Sequence, residues 1–167
     1  ELLIATLSGT IARCLGTTSL RIDLEGHGRE DLFPDVDLSR TIGWLTSLYP
    51  VVLDAPSVEA DAASTIPLVK KTLRSVPDGG IGYGAARFLG TASQRARLKQ
   101  TPASPIVFNY LGQTDQLLPT KGPIRFTEGP IGRVRSPVNR RPHLIEINAL
   151  VRDGRLRLEW LYSGDRH

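Results

Sequence analysis

Within the first 25 residues the apolar period of the chain falls from four to two, and this change constrains the fold more than any other feature. Leu3, Leu7, Ile11 and Leu15 recur every four residues, which places them on one face of a helix over residues 1–16, ending near Gly16. Leu20, Ile22 and Leu24 then alternate with Arg21 and Asp23, which predicts a strand over residues 19–25 with one apolar and one polar face. Each apolar face needs a partner, and each is the other's nearest candidate. Cys14, the only cysteine, falls on the helix and is read as a small buried hydrophobe. One cysteine builds neither a disulfide framework nor a cysteine-rich zinc site.

The rest of the chain uses the same two periods. Residues 42–53 are apolar on both faces and β-prone, which predicts a strand buried on both sides, with Pro50 at an edge or bulge. A helix falls within 57–75. Pro67 fits a first turn, so the regular part is expected from near Thr65, with Val69, Leu73 and Val76 facing inward and Pro77 ending it. A short helix is expected at 84–98 with Arg87, Arg95 and Arg97 exposed, then a strand at 105–111 stopped by Gly112. Residues 112–142 read as irregular. Two antiparallel strands, 143–152 and 155–163, are joined at Asp153-Gly154, a strong hairpin signal. This order is that of a layered α/β fold with a mixed sheet. A helix already under way at residue 1, with no capping residue ahead of it, is expected of a chain cut from a longer one.

The densest chemistry lies in Leu24-Glu25-Gly26-His27-Gly28-Arg29-Glu30-Asp31. Its two glycines permit a sharp turn or a close backbone approach, and its charged groups are then presented from a strand end. Such a cluster is either an acid/base site or a solvated loop with weak surface ion pairs. Residues 26–38 continue as a polar loop that Phe33-Pro34 is expected to anchor. Asn109 and Tyr110 are polar groups on a core-like strand, so each needs a partner. Trp44 and Tyr49 are read as core packing.

Other classes are disfavoured. The net charge is +4, weak support for a nucleic-acid partner, and the densest basic stretch (Arg125, Arg133, Arg135, Arg140, Arg141) lacks interleaved aromatics. That stretch is either a solvated loop or a dock for an acidic protein or a phosphate. Gly79-Gly80-Ile81-Gly82-Tyr83-Gly84 has neither the dinucleotide-binding spacing nor the lysine of a P-loop, so no nucleotide cofactor is expected. His27, His143 and His167 are too scattered for a recognisable metal motif. No run approaches the ~18 apolar residues of a membrane span, and no secretory signal is visible, so a cytoplasmic protein is expected.

Four stretches, taken in order, resemble the second half of an epimerization domain of a nonribosomal peptide synthetase. They are Glu25-Gly26-His27-Gly28-Arg29-Glu30, then Arg40-Thr41-Ile42-Gly43-Trp44-Leu45-Thr46-Ser47-Leu48-Tyr49-Pro50, then Pro77-Asp78-Gly79-Gly80-Ile81-Gly82-Tyr83-Gly84, and Phe108-Asn109-Tyr110-Leu111-Gly112. Leu45 stands where that family usually has phenylalanine. The resemblance covers essentially the whole chain. It implies the condensation-domain superfamily and a chloramphenicol-acetyltransferase-like α/β two-layer sandwich with a mixed sheet. Residues 1–167 would form the C-terminal half, the two halves meeting in a V with the active site in the channel between them. The superfamily's double-histidine motif, which lies in the first half, does not occur here, so the chain alone is expected to be incomplete.

The same resemblance implies the chemistry. An aminoacyl or peptidyl thioester on the phosphopantetheine arm of a peptidyl carrier protein is inverted at Cα, with no cofactor bound directly. The thioester acidifies the Cα proton by delocalising charge into an enolate, and acid/base groups remove and return that proton. Glu25 matches the family's acid/base glutamate, and its partner histidine would come from the N-terminal half. His27 is given a structural or orienting role. Arg29 either holds Glu25 or Glu30 in place or is an ordinary surface arginine. Asn109 and Tyr110 are expected to line the channel. A condensation-type domain that forms peptide bonds, or a non-catalytic fragment that docks a carrier protein, are the alternatives.

Overall fold

The computed structural model describes residues 1–54, 61–114, 129, 132, 136 and 138–164. Helix α1 (Leu2–Leu15) leads into strand β1 (Ser19–Gly26), and β2 (Ser47–Asp54) follows after a long loop. Helices α2 (Ala62–Arg74), α3 (Ile81–Leu89) and α4 (Ala92–Gln100) precede β3 (Ile106–Gln113), β4 (Ile145–Arg152) and β5 (Arg155–Tyr162). The strands form one five-stranded mixed sheet in the order β2-β1-β3-β4-β5. The centre is parallel, β1 with β3 and β3 with β4; both outer strands are antiparallel to their neighbours.

One face of the sheet is the core. Leu20, Ile22 and Leu24 of β1, Val51 and Leu53 of β2, Ile106 and Phe108 of β3, and Ile147 and Ala149 of β4 are buried there. Ile4, Ala5 and Leu7 of α1 and Val69 of α2 cover them. Sheet and helices make the two layers that the change of period demands. Gly16 ends α1 in a left-handed conformation (φ 64°). The Asp153-Gly154 turn has φ of 53° and 66°, both positive as a type I′ hairpin requires.

Several expectations are corrected. Cys14 is exposed, and so is Leu15, because the last turn of α1 (residues 13–16) is solvated throughout. β2 begins five residues later than its apolar run and is not buried on both faces. It is a sheet edge, with Leu48 and Val52 exposed, and this is what tolerates Pro50. Helix α2 starts at Ala62 rather than near Thr65, because Asp61 caps it by accepting from the Ser64 N–H at 2.8 Å. Pro67 therefore sits inside the helix, on its solvent side. The 84–98 helix is two helices broken at Gly90, the second started by a Thr91–Gln94 capping box. Gly112 does not stop β3 but takes φ 80° within it, where the register to β4 shifts. Phe33 is exposed, so it is no anchor for its loop. Arg87, Arg95 and Arg97 are exposed as expected. Among the described residues no helix is long and apolar enough to cross a membrane.

Candidate functional site

The second face of the sheet carries the polar and charged side chains. Residues opposite one another on neighbouring strands share a face, so the register places Asp23 and Glu25 of β1 beside Pro50 and Leu48 of β2. The same face continues through Val107 and Asn109 of β3 to Glu146 and Asn148 of β4. Helix α3 flanks it at the β2 edge, where Tyr83 and Arg87 share a cleft with Asp23, Leu48 and Pro50.

The seam between β1 and β3 opens along this face. The two strands are parallel and pair only at Ile22–Ile106, Asp23–Val107 and Leu24–Phe108. Glu25 and Asn109 are next in register, and there the ladder ends. Past that point the strands diverge at their carboxyl ends, where parallel sheets make ligand crevices. The gap is a cleft of about 400 Å³ lined by Glu25, His27, Arg29, Trp44, Asn109 and Tyr110, with Gly26, Thr46 and Leu111. All five residues singled out in the sequence therefore meet in one cleft. Trp44 is a correction: it is 89% exposed and forms a rim, not core. It lies within the loop between β1 and β2, where no layer covers it, so its apolar character does not imply burial.

The Glu25–Glu30 stretch is held by close contacts that leave glycine no substitute. Gly28 has φ 65°, and a Cβ there would overlap the Leu45 carbonyl. A Cβ on Gly26 would come within 2.7 Å of the Ser47 hydroxyl and 3.1 Å of the Gly79 carbonyl. Arg29 spends its donors on backbone. Its guanidinium donates to the Thr41 and Gly43 carbonyls at 3.2 and 3.3 Å, and more weakly to that of His27 at 3.4 Å. It thus ties the loop leading to Trp44 back to the strand end. His27 accepts from the Arg29 backbone N–H at Nδ1 (2.9 Å) and lies 3.5 Å from Glu30 through Nε2. Both ring nitrogens are turned to local structure.

Glu30 in turn lies against the Pro77–Gly80 turn, where a Cβ on Gly79 would strike its carboxylate. Gly80 is equally close to the Tyr49 ring, so the glycine-rich stretch is a wedge for the site loop and no phosphate cradle. Tyr49 packs against the core, as expected, and burial first, then the Glu30 charge, raises its hydroxyl pKa. The phenol stays protonated and able to donate.

Glu25 also borders a second cleft, of about 580 Å³, on the β4 side of the open face. Leu48, Val107, Arg140, Arg141, His143 and Glu146 line it with Glu25. The basic residues Arg125, Arg133 and Arg135 lie outside the described residues, whereas Arg141 stands 3.9 Å from Glu146. His143 and Asp23 are site residues that no motif in the sequence marks. A signal was there all the same: Asp23 is the other carboxylate on the polar face of β1, and His143 is one of only three histidines. Among the described residues no cluster of three or more histidine, cysteine or carboxylate ligands is placed to hold a metal.

The sequence model of the condensation domain family matches residues 1–167. Bacitracin synthase 3 of Bacillus licheniformis is 41% identical over 163 residues, 98% of the chain and 2% of that protein. Chondramide synthase cmdD of Chondromyces crocatus is 40% identical over 167 residues, all of the chain and 4% of that protein. The chain thus spans a small fraction of the curated relatives it matches. The crystal structure of the epimerization domain from the third module of tyrocidine synthetase B superposes with a TM-score of 0.82 at 40% identity, covering 97% of the chain and 35% of that structure. The first condensation domain of the CDA synthetase superposes with a TM-score of 0.57 over 98% of the chain and 34% of that structure; at 15% identity it shares the fold alone.

Proposed function

The chain belongs to the condensation domain family, and from that premise we propose that it is the C-terminal half of an epimerization domain, inverting Cα of an aminoacyl or peptidyl thioester carried by a peptidyl carrier protein. The observation that carries the reading is the open seam. Glu25 and Asn109 sit side by side where the β1–β3 ladder ends, with Tyr110 beside them.

In this reading Glu25 is one acid/base group. Its carboxylate takes the Cα proton on one face of the substrate, or its carboxyl returns one to the enolate. The opposite face is served by the histidine of the family's double-histidine motif in the N-terminal half, across the channel. As the Cα–H bond breaks, charge moves onto the thioester oxygen. The Asn109 amide, on the same face as Glu25, is the donor at the cleft wall that meets it, and Tyr110, next on the strand, borders the same cleft. His27 and Arg29 hold the loop and so fix where Glu25 points. The phosphopantetheine arm belongs to the substrate and enters through the channel; the chain's residues bind no cofactor of their own in this scheme.

The test is Cα proton exchange. In the complete domain, with a loaded carrier protein in D2O, deuterium enters Cα and the D-isomer accumulates. Glu25→Gln is expected to lower formation of the D-isomer by about 10²–10⁴-fold, the range for loss of a general acid or base, while the opposed histidine can still exchange the proton on its own face. Inversion that survives this substitution would remove Glu25 from its role. A new amide between two carrier-bound residues, without Cα exchange, would assign peptide-bond formation instead. Carrier binding without any chemistry would leave a docking function.

A further inference from the structure

Two residues before Glu25, on the same open face, the Asp23 carboxylate is gripped from two distant parts of the chain. The Ser104 hydroxyl donates to Oδ1 at 2.5 Å, and His143 Nε2 lies 2.8 Å from Oδ2. The side chains of His143 and Asp23 are only 10% and 18% exposed. A carboxylate acceptor assigns the hydrogen of the neutral ring to Nε2, which leaves Nδ1 as its basic nitrogen.

His143 is also a wall of the second cleft, and Glu25 is another. Asp23 and Glu25 are two residues apart on one strand, a rise of roughly 7 Å, and the cleft that both His143 and Glu25 line has room for water between them. The active cleft holding Asn109 and Tyr110 lies on the other side of Glu25. Substrate and His143 therefore approach the same carboxyl from different clefts.

An acid/base group that works once per turnover ends each inversion in the wrong protonation state for the next. If Glu25 has taken the Cα proton, that proton has to leave before the carboxylate acts again. A neutral imidazole held through Nε2 keeps a lone pair on Nδ1 that can take it. We propose that His143, pinned by Asp23, resets Glu25 between turnovers through the second cleft. The Glu25 O–H bond breaks, the proton passes through water to Nδ1 of His143, and the imidazolium releases it to solvent. The reverse sequence supplies a proton when Glu25 is the donor. No electron changes hands and no further reactant is consumed. Neither residue touches the reacting carbon: Asp23 positions His143, and His143 acts through Glu25. This rests on the reading of Glu25 as an acid/base group.

The experiment compares the first turnover with later ones, using the complete domain and an excess of loaded carrier protein. His143→Gln keeps an amide that donates to Asp23 but cannot carry a proton. The expected result is a first turnover near the wild-type rate, steady-state inversion at least about 10-fold slower, and recovery on adding imidazole. Asp23→Asn, which frees the ring without removing it, is expected to show the same burst and serves if His143→Gln does not fold. Equal loss in the first and later turnovers, unrelieved by imidazole, would make the pair structural and overturn the proposal, as would a wild-type steady state. If inversion survives Glu25→Gln, the reading of Glu25 falls and the relay with it; inactive Glu25→Gln beside unaltered His143→Gln overturns the relay alone.

Discussion

The two faces of β1 are built by the same alternation to opposite ends. Leu20, Ile22 and Leu24 point into the core and are almost wholly buried. Arg21, Asp23 and Glu25 point to the open face. There Arg21 donates to the Pro102 carbonyl at 3.0 Å, Asp23 holds Ser104 and His143, and Glu25 stands between two clefts. Burial dictates the first face, since any apolar side chain of suitable volume serves it. On the second face the side chains are polar and, in the proposed function, turnover asks for particular residues. A substitution on one face is therefore expected to cost folding, and on the other to cost turnover.

The largest contrast is between Glu25→Gln and Ile22→Ala. The first is expected to remove nearly all inversion at Cα while the denaturation midpoint stays put. The second deletes a side chain with no exposure and is expected to destabilise the domain by about 2–5 kcal/mol in urea titration, with kcat unchanged in the molecules that remain folded. If the two effects were to trade places, the division of labour across β1 would be wrong.

Gly28→Ala sharpens the comparison, because it acts on both properties. The residue sits at φ 65° against the Leu45 carbonyl, so strain of at least about 1–3 kcal/mol is expected, together with a displaced Glu25 and a loss of exchange. Unaltered exchange in a stable Gly28→Ala domain would show that the loop does not position the carboxyl. Asn109→Ala is expected to slow exchange by about 10²-fold as one enolate donor is lost, with no change in melting temperature.

The smallest effect lies far from the seam. Asp61 caps α2, and its pKa is below the ordinary 3.8 because the Ser64 side chain and then the Ser64 backbone N–H favour the carboxylate. A depressed folded-state pKa stabilises the native state fully above the unfolded value and loses that contribution as pH falls through the folded value. Melting curves of Asp61→Ala and wild type are thus expected to differ by a few degrees at most, about the effect of one exposed cap, at neutral pH and to converge in acid as the carboxyl is protonated. A difference that persists unchanged in acid would mean that the charge of the cap is irrelevant.

What could be read from residues alone follows the same division. The alternation of β1, the helix α1 and the Asp153-Gly154 hairpin are local patterns, and the structure has them where the periods put them. The five candidate residues sit in local motifs, and the β1–β3 seam, which joins stretches more than 80 residues apart, brings them to one cleft. Position relative to an edge was not legible. Cys14, Phe33 and Trp44 are apolar and exposed, and β2 has an outer face, because nothing in a local window tells where a sheet or a helix layer stops. The Asp23–His143 pair escaped for a related reason. Its partners are 120 residues apart, and neither belongs to a motif.

The parallel seam has one more consequence, in the order of assembly. β4 and β5 are joined by a two-residue turn, and β1 and β2 are likewise sequence neighbours in antiparallel contact, whereas β1 must find β3 across some 80 residues. Distant parallel pairings close slowly and late. The cleft is therefore expected to be the last part of the molecule to form, so that a partly folded chain carries a hairpin and a helix but no site. Pulsed hydrogen exchange during refolding is expected to protect the amides of Ile145–Arg152 before those of Ile22–Leu24; the opposite order would mean that the seam nucleates folding.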